Sequence, residues 1–114
     1  MEDSAKKSPM EWGAQPVKVV DLVNYQAGAV VSREILKKTN GKVTLFAFDE
    51  GEGLSEHTSP FDALANVVEG EAEISVAGQA HRVQAGQIIL MPANQPHALK
   101  ALKRFKMILV MVRS

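Results

Sequence analysis

Beyond residue 16 the chain does not run far without a turn signal. The β-branched and apolar runs VKVVDLV (17–23), VVSREILKK (30–38), KVTLFAF (42–48), EAEISV (71–76), IILM (88–91) and FKMILVMV (105–112) are divided by NYQAG, Asn40-Gly41, DEGEG, Gly70, Ala77-Gly78, Gly86 and PANQP. A strand and its turn take roughly eight to twelve residues, so this punctuation predicts an all-β sandwich or barrel. Asn-Gly supplies both positive-φ residues of a type I′ turn, which makes 30–48 the plainest hairpin. VKVVDLV reads as a further N-terminal strand.

Two segments constrain the arrangement further. In KVTLFAF both faces are apolar: Val43, Leu45 and Ala47 on one, Phe46 and Phe48 on the other. A half-exposed strand shows one polar face, so the outer side needs a cover, and a second subunit is the expected one. FDALANVVE (61–69) carries helical spacing at Phe61, Leu64, Ala65 and Val68, yet only Gly70 separates it from the cleanly alternating EAEISV. It is read as a strand over 62–69, with a helix as the alternative. A two-residue turn at Ala77-Gly78 sets His81 opposite Ile74 and Val83 opposite Ala72. In the last run Phe105, Met107, Leu109 and Met111 share a face.

Composition removes whole classes of function. Thirteen basic residues balance thirteen acidic ones, so no excess charge draws the chain to nucleic acid or to an anionic membrane. There is no cysteine, which excludes disulfides, thiolate ligands and a cysteine nucleophile and fits a cytoplasmic protein. The longest apolar run, MILVMV, is too short to span a bilayer. The 114 residues suggest one domain over 16–114, preceded by a flexible tail over 1–15. Trp12 lies in that tail, where it either packs on the domain edge or docks on a partner subunit. Lys100, Lys103, Arg104 and Lys106 read as a solvated basic turn.

The phrases VVEGEAEISV and AGQIILMPANQPHAL, with GLSEHTSPFDALANVVEG before them, resemble the two signature motifs of the cupin family, small jelly-roll β-barrels. The resemblance implies a single jelly-roll barrel of about eight to ten strands. In the first motif it places the closing glycine at Gly70, the two histidine positions at His57 and Ser59, and the glutamate position at Ala63. In the second it matches Gly86, Pro92 and His97, with Asn94 at a glycine position and Ala101 at the final asparagine position. Asparagine tolerates the left-handed conformation that such a glycine serves.

In cupins the three histidines and the glutamate hold one divalent metal, and this chain keeps two of those four ligands, His57 and His97. Two imidazoles suit zinc, iron, manganese or nickel, but a catalytic site generally uses three protein ligands. Glu56, beside His57, and Asp62, beside Ala63, are the candidates for an unorthodox third. His81 reads as a partly exposed cross-strand partner of Ile74.

Three functions follow from this pattern. The first is a small-molecule-binding cupin with a degraded metal site. Its apolar cavity is bounded by Ala63, Met107 and Leu109, and His57, Ser59 and His97 orient the ligand. The second is a metal-dependent enzyme of the dioxygenase, isomerase or decarboxylase type, using His57, His97 and an atypical third ligand. The third is a dimeric scaffold without pocket chemistry. All three are expected to act as a homodimer.

Overall fold

The computed structural model describes residues 14–114. Most of the tail expected over 1–15, Trp12 included, lies outside the described residues. Among the described residues nine strands form two facing antiparallel sheets: β1 (Val30–Lys38), β2 (Gly41–Phe48), β3 (Gly53–His57), β4 (Asp62–Glu69), β5 (Glu71–Val76), β6 (Gln79–Gln84), β7 (Ile88–Met91), β8 (His97–Ala101) and β9 (Phe105–Val112). One sheet has the order β1-β2-β9-β4-β7 and the other β3-β8-β5-β6. This is the all-β jelly roll expected, and no described residue is in an α-helix. No helix is long and apolar enough to cross a membrane among the described residues.

Residues 62–69 form a strand, as read, despite the helical spacing in this segment. Ala63, Ala65 and Val67 face inward and are buried, so the strand period decides and the alanines only make the core thin there. Gly70 then turns the chain with φ of 82°, and any Cβ there would collide with the carbonyl of Arg104. The following hairpin has the expected register, His81 opposite Ile74 and Val83 opposite Ala72, closed by Ala77 and Gly78 at φ of 51° and 82°. Asn94 takes φ of 65° at the motif position where a glycine is usual.

Two local expectations are corrected. The β1–β2 hairpin is not closed by a type I′ turn at Asn40-Gly41: neither residue has positive φ, and Lys38 pairs with Gly41 around Thr39 and Asn40. Gly41 is instead already in the sheet. A Cβ there would meet the Met111 carbonyl at 3.0 Å, so the missing side chain allows β9 to approach. The run 17–23 is not a strand. It makes a 3₁₀ turn at Val19–Asp21, because a turn lets Val19, Leu22 and Val23 all reach Leu45 and Ala47 on the outer face of β2. Both faces of β2 are buried as expected, and on this side the cover is the chain's own N-terminal segment.

Polar contacts hold that segment in place. Tyr25 donates its hydroxyl to Glu69 at 2.6 Å, Arg33 donates to the Leu22 carbonyl at 3.0 Å, and Lys106 donates to the Val20 carbonyl at 2.6 Å. Arg104 and Lys106 lie over the Tyr25 ring at 4.6 and 4.8 Å. The basic cluster is therefore not a plain solvated turn: Lys106 is buried on β9, and Arg104 also pairs with Asp49 at 3.1 Å.

The core fills the space between the sheets. Phe48 stacks on Phe105 with ring centres 4.4 Å apart, at one end of the barrel and with both rings fully buried. Replacing either ring by alanine removes about 3–5 kcal/mol of stability. The aromatic packing leaves the opposite end, where β4 contributes only Ala63 and Ala65, less filled.

Candidate functional site

β3 ends and β8 begins at that less filled end, and the register pairs His57 with His97. Their rings meet edge to face with centres 4.3 Å apart, and Nε2 stands 3.1 Å from Nε2. His57 is exposed, whereas His97 is buried at 6% exposure, so the pair runs from the rim inward. Each ring's Nδ1 lies against the carbonyl two residues earlier: Ser55 for His57 at 2.8 Å and Gln95 for His97 at 3.2 Å. A carbonyl only accepts, so each Nδ1 carries the hydrogen and donates it. In the neutral rings both Nε2 atoms then hold lone pairs, only 3.1 Å apart. Two lone pairs at that separation repel unless a cation stands between them, either a shared proton or a metal ion. Burial, and then the neighbouring His57, lower the His97 pKa below the ordinary imidazole value, which opposes charging both rings.

Behind the pair lies a cavity of about 180 Å³. Ser59, Ala63, Met107 and Leu109 line it together with both histidines, so every ligand-contact residue expected from the sequence converges there. Ser59 Oγ accepts from Phe61 N at 3.1 Å, and its hydroxyl hydrogen is still able to donate. Phe46, Leu54, Met91, Leu99 and Met111 also line it and were not named as site residues. The signal for Met91 and Met111 was pairing: both lie directly opposite Ala63, on the strands either side of β4.

The other candidates are elsewhere. Asp62 is exposed and accepts from Ala93 N at 2.9 Å, and Glu56 is exposed; neither lines the cavity. His81 lies on β6 in a surface groove with Arg82 and Ile88. No three histidine, cysteine or carboxylate side chains gather anywhere among the described residues. The donors present therefore do not fit the divalent metal of the family's usual set, which needs a third imidazole or a carboxylate.

Two facing antiparallel sheets with a histidine from each motif at one mouth define the cupin class. The family model described as cupin domain matches residues 44–113, and the chain belongs to that family. A conserved protein of unknown function from Streptococcus pyogenes is similar at 34% identity and a TM-score of 0.86, over 90% of each chain. A cupin superfamily protein from Desulfitobacterium hafniense is similar at 25% identity and a TM-score of 0.85, over 90% of this chain and 94% of the other. A cupin 2 conserved barrel domain protein from Leptotrichia buccalis shares 38% identity at a TM-score of 0.80, over 82% of this chain and 46% of its own. No curated protein matches the sequence.

Proposed function

We propose that this chain is a small-molecule-binding cupin whose barrel holds a compact organic ligand, oriented at the mouth by His57, His97 and Ser59. The observation that carries this reading is the cavity of about 180 Å³ beneath the histidine pair. An apolar protein cavity of about 150 Å³ accommodates benzene, so the volume suits a ligand of similar size. Its walls are thioether and hydrocarbon, and its polar groups are confined to one end, which favours a ring or short branched chain carrying one hydrogen-bonding group. A metal-dependent enzyme is the weaker reading, because no carboxylate or third imidazole lines the cavity.

Titration with phenol and cyclohexanol, followed by amide and methyl NMR, tests the proposal. Saturable shifts at Leu99, Met107 and Leu109 are expected, with Kd of about 10 µM to 1 mM for ligands of this size. Ala63→Leu, which fills the space, abolishes them. Shifts that do not saturate, or that persist in Ala63→Leu, sink the reading.

A homodimer belongs to the same proposal. On the outer face of the five-stranded sheet Val43, Val110, Leu64 and Leu90 pair in one row across β2, β9, β4 and β7. The N-terminal segment covers the neighbouring Leu45, and Leu90 is left 55% exposed and Ile88 62% exposed. A second copy laid on the same row would bury it isologously.

A further inference from the structure

We infer that the ligand of this cavity is a neutral hydroxyl compound, bound through an O–H that donates to Nε2 of His97. The inference rests on the organic-ligand reading above and narrows it. Molecules whose polar group can only accept a hydrogen bond are turned away, and so are carboxylates.

Two neutral imidazoles own two ring hydrogens, and both are committed. Nδ1 of His57 donates to the Ser55 carbonyl at 2.8 Å, and Nδ1 of His97 to the Gln95 carbonyl at 3.2 Å. The other tautomer of either ring sets a bare Nδ1 against a carbonyl oxygen, two acceptors in contact. Each Nε2 is therefore an acceptor, and neither ring has a hydrogen to offer a ligand. His97 is the acceptor that gains more from a ligand. It is buried, so water reaches it poorly, whereas His57 is exposed and stays hydrated. A buried acceptor without a partner costs free energy, which a donor entering the cavity recovers.

The remaining polar group matches the same head group. Ser59 lines the cavity, accepts from Phe61 N and keeps its hydroxyl hydrogen to give. A ligand hydroxyl donates to one partner while its oxygen accepts from another, so it can serve both residues. A ketone or ether only accepts, and leaves His97 unpaired. Charge narrows the class further. No lysine, arginine, aspartate or glutamate lines the cavity, so a carboxylate or an ammonium group would shed its water without meeting a counter-ion.

The mouth is braced in this form. Asn94 N donates to the Ser59 carbonyl at 2.8 Å, and Ala93 N to the Asp62 carboxylate at 2.9 Å. The two motif loops are thereby tied to each other, and less ordering cost falls on binding.

Dissociation constants measured by NMR at pH 7.5, above the ordinary imidazole pKa of about 6.5, test this with ligand pairs of similar shape. The pairs are cyclohexanol with cyclohexanone, phenol with toluene, and benzyl alcohol with benzoate. In each, the hydroxyl member is expected to bind about tenfold more tightly or better. Toluene is the sharpest comparison, because a cavity that recognised apolar surface alone would prefer it to phenol. With ¹⁵N-labelled histidine, both Nε2 atoms are expected to resonate as unprotonated nitrogens in the free protein. That of His97 is expected to shift on adding cyclohexanol and not on adding cyclohexanone. In His97→Leu the alcohol and the ketone are expected to bind within about threefold of each other, a loss of discrimination that general weakening of the cavity would not produce. Equal affinities across the pairs, or a protonated Nε2 in either ring, overturn the inference and leave the organic-ligand reading standing. No saturable binding by any of these molecules overturns both. If His97→Leu does not fold, the ligand pairs and the nitrogen spectrum of the unmodified protein decide.

Discussion

His57 and His97 meet through Nε2 at 3.1 Å while each donates Nδ1–H to the carbonyl two residues before it, in Ser55 and Gln95. The two motifs thus contribute the same local device, and the sheet register brings the copies face to face.

That relationship gives a pH dependence for the metal-free protein. Burial first, and then His57, lower the His97 pKa below the ordinary value of 6.5. The unfolded chain therefore binds a proton more readily than the folded one. The stability tied to His97 is complete above about 6.5 and is lost as pH falls from there through the lower folded-state value. His57 is the titratable group facing His97; Ala63, Leu99 and Met111 make up the neighbouring cavity wall. Urea midpoints recorded from pH 7.5 to 5 are expected to fall in the native protein and to fall less in His97→Leu. Parallel slopes would contradict this.

Ala63→Glu restores a carboxylate opposite the histidines. The variant without metal is expected to lose about 1–3 kcal/mol or more, since the cavity holds no cation for a buried carboxylate. It is also expected to bind one equivalent of zinc by elemental analysis and to regain stability on doing so. Zinc-insensitive melting would show that Ala63 does not face the pair.

Tyr25 is the only tyrosine, so its ionisation can be followed by absorbance. Burial first, and then its hydrogen bond to Glu69, hold the phenol well above its ordinary pKa. No phenolate signal is expected until alkaline pH unfolds the chain. Tyr25→Phe is expected to cost about 1–2 kcal/mol in urea melts, as the hydrogen bond to a carboxylate is lost. A normal titration near pH 10 would mean that the N-terminal segment does not stay docked.

The β-sheet row ending at Leu90 gives the fourth expectation. The native chain is expected to sediment as a dimer at micromolar concentration, and Leu90→Lys with Val110→Lys as a monomer of unchanged circular dichroism. A monomeric native chain would refute this interface.

Strand positions and hairpin register were legible where one residue pattern answered to one force. EAEISV alternates cleanly, and Ala77-Gly78 takes the positive-φ turn that joins it to AHRV, so that hairpin's register is read correctly. At Asn40-Gly41 the same turn logic failed because Gly41 serves a close approach by β9, a contact with the far end of the chain that local sequence does not reveal. VKVVDLV failed for a related reason: Val19, Leu22 and Val23 roof β2, and a 3₁₀ turn serves that purpose without strand pairing. The histidines and Ser59 were found through their motifs. Met91 was not, since only the pairing of β4 with β7 shows that it flanks Ala63; Met111 was placed on the face it shares with Met107 and Leu109, and the pairing of β4 with β9 sets it beside Ala63.

The position of β9 carries one last consequence. This strand, Phe105–Val112, lies between β2 and β4 in the middle of its sheet and supplies Phe105, Met107 and Met111 to the interior. During synthesis, β2 and β4 have no permanent neighbour between them until residue 112 has left the ribosome. The barrel is therefore completed after translation of this segment, and until then the apolar faces of β2 and β4 depend on the surrounding cell for protection. Strand pairing over so long a loop also makes closure slow for a chain of this size.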